Sequence, residues 1–197
     1  SDHGLSQVVF AETTFVPNAW PKDTGASVNS SPILGDLDGD GLLEIIVGSD
    51  NHKVYAWKPD GTLMPGWPVT TGDSVRSSPA LADIDGDGRL DVIVGSFDNK
   101  VYVWNFNGSL LAGWPVVTGS VVYSSPAIGD IDGDQRPEVI VGSFDNKVYA
   151  WNADGTLVRG WPKSTGLFVF SSPALADLNR DGLVEVIVGT DNNRVFA

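Results

Sequence analysis

The sequence predicts an all-β protein, a β-propeller of four-stranded antiparallel blades, and three observations carry that reading. Ser-Ser-Pro recurs at 30–32, 77–79, 124–126 and 171–173, and Trp-Pro at 20–21, 67–68, 114–115 and 161–162. Both series step by 47 residues without insertion or deletion, so the chain holds four repeats and about nine further residues. Each repeat is a series of short β-branched runs parted by turns, and Gly (23) and Pro (12) are abundant enough to make them.

The second full copy shows the elements in order. Ala80-Leu81-Ala82 is a short apolar run after Ser-Ser-Pro, and the acidic loop Asp83 to Asp91 follows it. Val92-Ile93-Val94 has the composition of a buried strand. Asp98-Asn99 then reads as a two-residue turn of residues that tolerate positive φ, matched by Asn51-His52, Asp145-Asn146 and Asn192-Asn193. Val101-Tyr102-Val103-Trp104 alternates as a third strand, and Asn107-Gly108 is a hairpin signal. Leu110-Leu111, running into Gly113-Trp114-Pro115, reads as an outer strand ended by proline. The strands are called a to d.

A lone four-stranded sheet cannot bury both faces, so the copies must pack on one another, and radial packing gives a propeller rather than a stacked solenoid. The chain is read as a single repeat domain, 1–197. It comprises a partial blade of outer strands (1–20), repeats at 21–67, 68–114 and 115–161, and an incomplete one at 162–197. Ala197 aligns with Ala56 and Val8-Val9-Phe10 with Tyr55-Ala56-Trp57, so the chain begins and stops within the same strand c. Three assemblies stay open: a closed four-blade ring, part of a larger propeller, or a half that dimerises through its open edges.

The net charge of −13 disfavours nucleic acid and anionic lipid as partners, and no apolar run is long enough to span a membrane. With no Cys, disulfides and thiolate chemistry are excluded. His3 and His52 are the only histidines, so a Ser-His-Asp site is not expected, and the chain reads as a non-enzyme.

The acids are concentrated. Four nine-residue loops, Asp36 to Glu44, Asp83 to Asp91, Asp130 to Glu138 and Asp177 to Glu185, hold 15 of the 25. Oxygen ligands at positions 1, 3 and 5 let a tight loop wrap a hard cation: Asp36, Asp38, Asp40; Asp83, Asp85, Asp87; Asp130, Asp132, Asp134; Asp177, Asn179, Asp181. Position 7 (Leu42, Arg89, Arg136, Leu183) would add a backbone carbonyl, and the acid at position 9 (Glu44, Asp91, Glu138, Glu185) would close the shell. An EF-hand closes at position 12 between helices, whereas here a strand follows at once. Turns alone do not need four carboxylates in nine residues, and crowding them costs Coulomb energy unless a cation is present. Ca²⁺ fits better than Mg²⁺, which keeps its waters, and up to four ions would bring −13 to −5. The third loop carries Gln135 where glycine is expected. The fourth, with Asn179 and Arg180, is expected to be weakest.

The order apolar run, D-x-D-x-D-G-x-x-[DE], Val-Ile-Val-Gly and aromatic strand resembles the FG-GAP (VCBS-type) repeat of integrin α-subunit propellers and secreted microbial proteins, over residues 20 to 197. The resemblance implies a propeller with calcium in the a–b loop, on a secreted or cell-surface protein.

The tryptophans sit at fixed phases, which suits packing between blades more than sugar stacking, and Ser-Ser-Pro is expected to shape the start of strand a. Variation between copies marks a different place. Before Ser-Ser-Pro the copies carry Asn29, Arg76, Tyr123 and Phe170; before the b–c turn they carry Asp50, Phe97, Phe144 and Asp191. These positions share the face opposite the acidic loops and form a candidate ligand face. The expected function is a calcium-stabilised module for adhesion or for recognition of a protein or carbohydrate ligand. The alternatives are the propeller of a polysaccharide-degrading enzyme and a structural spacer.

Overall fold

The computed structural model describes residues 19–191 and 193–197. Among these residues fifteen short strands form four antiparallel sheets. The first contains β1 (Ile33–Gly35), β2 (Glu44–Ser49), β3 (Lys53–Trp57) and β4 (Val69–Thr70). The second contains β5 (Ala80–Ala82), β6 (Asp91–Gly95), β7 (Lys100–Trp104) and β8 (Val116–Val117), and the third β9 (Ala127–Gly129), β10 (Glu138–Ser143), β11 (Lys147–Trp151) and β12 (Lys163–Ser164). The fourth has three strands, β13 (Ala174–Ala176), β14 (Glu185–Thr190) and β15 (Arg194–Phe196). Each sheet runs in sequence order. The inner strands β1, β5, β9 and β13 touch in series, but among the described residues β13 is not packed in the same way against β1. Val8-Val9-Phe10, which align with strand c, lie outside the described residues, as does His3.

The core lies between the sheets. Val92 and Val94 of β6 face blade 1, joining Val54, Ala56, Met64 and Trp67, while Ile93 between them joins Val139, Val141 and Tyr149 of blade 3. Strand alternation therefore serves two interfaces at once, which is why β6 is buried along its whole length. Strand β14 repeats the same Val-Ile-Val-Gly run but is only half-buried, because no further sheet covers its second face among the described residues.

The tryptophans join neighbouring blades, as expected. Trp67 lies edge-on to Trp104 at 6.4 Å and Trp114 to Trp151 at 6.3 Å. Each indole N–H donates to a carbonyl of the next blade, Trp67 to Phe106 at 2.9 Å and Trp114 to Ala153 at 3.0 Å. All four Trp-Pro peptide bonds are cis.

Two local expectations need correction. Strand d is not the Leu-Leu run before Trp-Pro: Leu63, Leu110 and Leu157 each make only a single bridge to the tryptophan of strand c. A tight turn follows, with Trp67 N–H bonded to the Met64 carbonyl and Gly66 at φ 86°, and strand d begins after the proline, at Val69, Val116 and Lys163. A side chain at Gly66 would strike the Asn107 carbonyl of the next blade, so the turn is set by blade packing that the Leu-Leu pattern does not show. The b–c turn also has three residues rather than two. Ser49 pairs with Lys53, and the last turn residue is left-handed in each copy: His52, Asn99, Asn146 and Asn193, at φ 62–70°. Asn192 lies outside the described residues.

Ser-Ser-Pro does more than start strand a. The first serine of the motif closes onto the glycine of strand b: Ser30 Oγ accepts from Gly48 N–H at 2.9 Å and donates back to its carbonyl at 3.0 Å. The second ties blades together, since the Ser31, Ser78 and Ser125 amides donate to the hydroxyls of Ser78, Ser125 and Ser172.

Candidate metal centres

The a–b loops join inner strand to second strand in every blade and share one internal design. The position 1 carboxylate folds the loop around itself: Asp36 Oδ1 accepts from Gly39 N–H (2.7 Å) and Asp40 N–H (3.1 Å), and Oδ2 from Gly41 N–H (2.9 Å). Asp83 repeats this with Gly86, Asp87 and Gly88, Asp130 with Gly133 and Gln135, and Asp177 with Arg180 and Gly182. The position 5 acids Asp40, Asp87, Asp134 and Asp181 each accept the N–H of position 7, from Leu42, Arg89, Arg136 and Leu183.

The turn requires left-handed backbone at positions 4 and 6. Glycine supplies it in most copies, but Gln135 stands at φ 68° and Arg180 at φ 65°. Each non-glycine residue there costs about 1 kcal/mol. The strain at Gln135 is as the sequence implies; that at Arg180 was not foreseen, although the glycines at 39, 86 and 133 mark the position.

The position 9 acids point back into the loop. Glu44 Oε2 accepts Leu37 N–H at 2.8 Å, Asp91 accepts Ile84 at 2.8 Å, Glu138 accepts Ile131 at 2.8 Å and Glu185 accepts Leu178 at 2.7 Å. The first three are almost wholly buried, at 0–1% exposure. Burial raises their pKa values, to about 6 for Asp91 and about 7 for Glu138. Their backbone hydrogen bonds oppose the rise, and the loop aspartates add to it. Glu44 moves the same way from the same cause, and its Oε1 is buried with no hydrogen-bond partner.

Ligand-type oxygens gather within 4.8 Å of one another in three loops: Asp36, Asp38 and Asp40 in the first, Asp83, Asp85 and Asp91 in the second, Asp130, Asp132 and Glu138 in the third. Among the described residues the fourth loop, Asp177 to Glu185, gathers no such trio. There Asn179 Nδ2 donates to Glu185 Oε1 at 2.9 Å and satisfies the oxygen that is orphaned in Glu44. The first loop has a visitor the motif does not include: Lys58 Nζ sits 2.7 Å from Asp38 Oδ2 and 3.2 Å from Asp40 Oδ2.

The candidate ligand face is contiguous. Asn29 and Arg76 both hold Asp50, the arginine through two bonds of 3.0 and 3.1 Å, and the Arg76 guanidinium lies 5.1 Å from the Phe97 ring centre. Phe97 then meets Tyr123 at 5.9 Å, Tyr123 meets Phe144 and Phe170, and Phe144 meets Phe170 at 4.3 Å. Phe168, which the comparison of copies did not single out, stacks on Phe144 at 5.4 Å and is 44% exposed. Its equivalents are Ser27, Ser74 and Val121, a contrast legible in the sequence.

Sheets ordered a to d along the chain, packed face to face in series with one acidic a–b loop each, define a repeat β-propeller. The chain belongs to the FG-GAP-like repeat family, whose sequence profile matches residues 36–94, 83–141 and 130–188. No curated protein matches it by sequence. Among solved structures it is similar to the computationally designed Ika4 protein (TM-score 0.66, 16% identity, covering 89% of this chain and 92% of that one). It is also similar to BBS1N, solved in complex with ARL6DN (0.65, 13%, 86% and 54%), and to the V. cholerae biofilm matrix protein Bap1 (0.62, 21%, 94% and 32%). The chain thus spans about half of the BBS1N chain and a third of Bap1, and at these identities the likeness is one of fold. Among the described residues no helix is long and apolar enough to cross a membrane.

Proposed function

We propose that this chain is a calcium-binding propeller module of a secreted or cell-surface protein, in which the ions serve structure rather than catalysis. The observation that supports this most is the buried Glu44 carboxyl, whose Oε1 has no partner although Asp38 and Asp40 lie near enough to raise its pKa. A carboxylate oxygen in that state is costly, and a cation bound among the loop acids removes the cost. Positions 1, 3, 5 and 9, with the position 7 carbonyl, would hold the ion, and hard oxygen donors of this kind suit Ca²⁺. Bound calcium would link the start of strand b to the end of strand a in each blade. At an affinity of 10⁻⁴–10⁻³ M, millimolar calcium adds about 0.4–1.4 kcal/mol per loop. Thermal unfolding in calcium and in chelator tests this: a midpoint unchanged by millimolar calcium sinks the proposal.

A second reading concerns the opposite face. Tyr123, Phe168 and Phe170 expose 38–44% of their surface within one connected aromatic stripe. We propose that this stripe contacts the module's protein or glycan ligand. Arg76 is committed to Asp50, so the contact is apolar and aromatic more than ionic. Tyr123→Ala with Phe170→Ala should abolish surface attachment by the parent protein while leaving unfolding unchanged; retained attachment removes the reading.

A further inference from the structure

The first loop differs from its sisters through a residue outside it. Lys58 follows directly on β3, and the corresponding residues of blades 2 and 3 are the neutral Asn105 and Asn152. Its half-buried side chain reaches across to Asp38 and Asp40, the acids at positions 3 and 5. The acids respond differently as well. In loops 2 and 3 the converging trio includes the closing acid at position 9. In loop 1 it consists of positions 1, 3 and 5, and Glu44 is left with its unpartnered oxygen.

We propose that Lys58 is an internal counter-cation that competes with calcium for Asp38 and Asp40. The first site then fills only by displacing the ammonium, and binds more weakly than sites 2 and 3. The inference rests on the calcium reading of the loops. Its physical basis is simple. A divalent ion among five oxygens and an ammonium on two of them cannot share one pocket, because both need the same carboxylate oxygens and like charges a few ångströms apart repel. Lysine neutralises only part of the loop charge and leaves Glu44 Oε1 without a hydrogen-bond partner, so the lysine-engaged state is a holding state. When calcium enters, Lys58 must swing out on its flexible stem, which makes the first blade the one that reports calcium level at its surface.

The sites can be followed separately in one titration, because Gly41 and Gly88 occupy the same position in loops 1 and 2 and each donates its amide to the position 1 acid. In the native chain the Gly88 amide resonance should shift at lower calcium than Gly41, by about tenfold. In Lys58→Asn, the residue the sister blades already carry, the Gly41 midpoint should fall about tenfold to meet Gly88, and Gly88 should not move. A Gly41 midpoint unchanged in Lys58→Asn, with Gly88 titrating normally, overturns the competition while leaving the calcium reading intact. If neither glycine responds to millimolar calcium, both fall. The side chain gives an independent signal: the Lys58 Cε and Nζ resonances should pass from a bound to a free position in step with Gly41, and resonances that stay fixed through the titration contradict displacement.

Discussion

Glu138→Gln separates a metal ligand from a mere hydrogen-bond acceptor. Glu138 is 1% exposed, accepts the Ile131 amide at 2.8 Å and has its pKa pushed from 4.5 to about 7, chiefly by burial. A group whose folded pKa is raised contributes full stability only below its unfolded pKa, near 4.5, and that stability is lost as pH rises through about 7. At 1.36 kcal/mol per unit the rise corresponds to about 3 kcal/mol, which solvent on the open side of the loop screens to about 1–2 kcal/mol. Glutamine keeps an oxygen for Ile131 and removes the charge. In chelator at pH about 7.5 the variant should therefore be more stable than the native chain by about 1–2 kcal/mol, or about 3–6 °C for a domain of this size. In about 5 mM calcium that advantage falls to about zero, because a site of 10⁻⁴–10⁻³ M affinity that no longer binds forfeits about 1–2 kcal/mol. Native protein in chelator should likewise gain stability when acidified from about pH 7.5 to about 5, as Glu138 and Asp91 take up protons. Thermal and urea unfolding under the four conditions measure all of this. A variant destabilised equally with and without calcium would show that Glu138 only supports the Ile131 amide.

Three further substitutions probe the design. Gln135→Gly relieves a left-handed glutamine and should stabilise the metal-free chain by about 1 kcal/mol, read as a shift in urea midpoint. Asn179→Asp restores the fourth carboxylate and breaks the amide bond to Glu185; it should tighten the fourth site by about tenfold, followed at the Gly182 amide, and an unchanged midpoint would refute the weak-site assignment. Gly95→Ala drives a methyl into Val122, on the connection between β8 and β9, and should cost about 1–3 kcal/mol in calcium and chelator alike.

How much of this is legible in the sequence depends on whether a contact repeats. The blade count, strands a to c and the four loops come straight from the 47-residue period. Alternation and β-branching are local, and every copy restates them. Strand d did not come through, because Leu110-Leu111 looks like a strand and is one residue pair of bridge followed by a turn. What decides the matter is Gly66 lying against Asn107 and Trp67 bonding to Phe106, contacts that cross between blades 39 and more residues apart. The serine ladder at 31, 78, 125 and 172 escaped for the same reason: its spacing was visible, but its partners were one blade away.

The acidic loops show the limit most clearly. Read as nine-residue motifs, they rank by their own departures, which places the weakness in the fourth loop at Asn179 and the strain in the third at Gln135. The structure shows Gln135 left-handed and Asn179 bonded to Glu185, and adds that the first loop, flawless as a motif, is the one engaged by an outside cation. Lys58 lies 14 residues past Glu44 in the chain but 2.7 Å from Asp38, because the b–c hairpin folds strand c back beside the loop. A ligand motif fixes which oxygens are available; the strand that returns beside it decides whether a cation finds them free. In a propeller that returning strand belongs to the same repeat, so aligning Lys58 with Asn105 and Asn152 exposes the difference once the hairpin is known. The same alignment, made at the residue after each strand c tryptophan, should rank the loops of other chains built on this repeat.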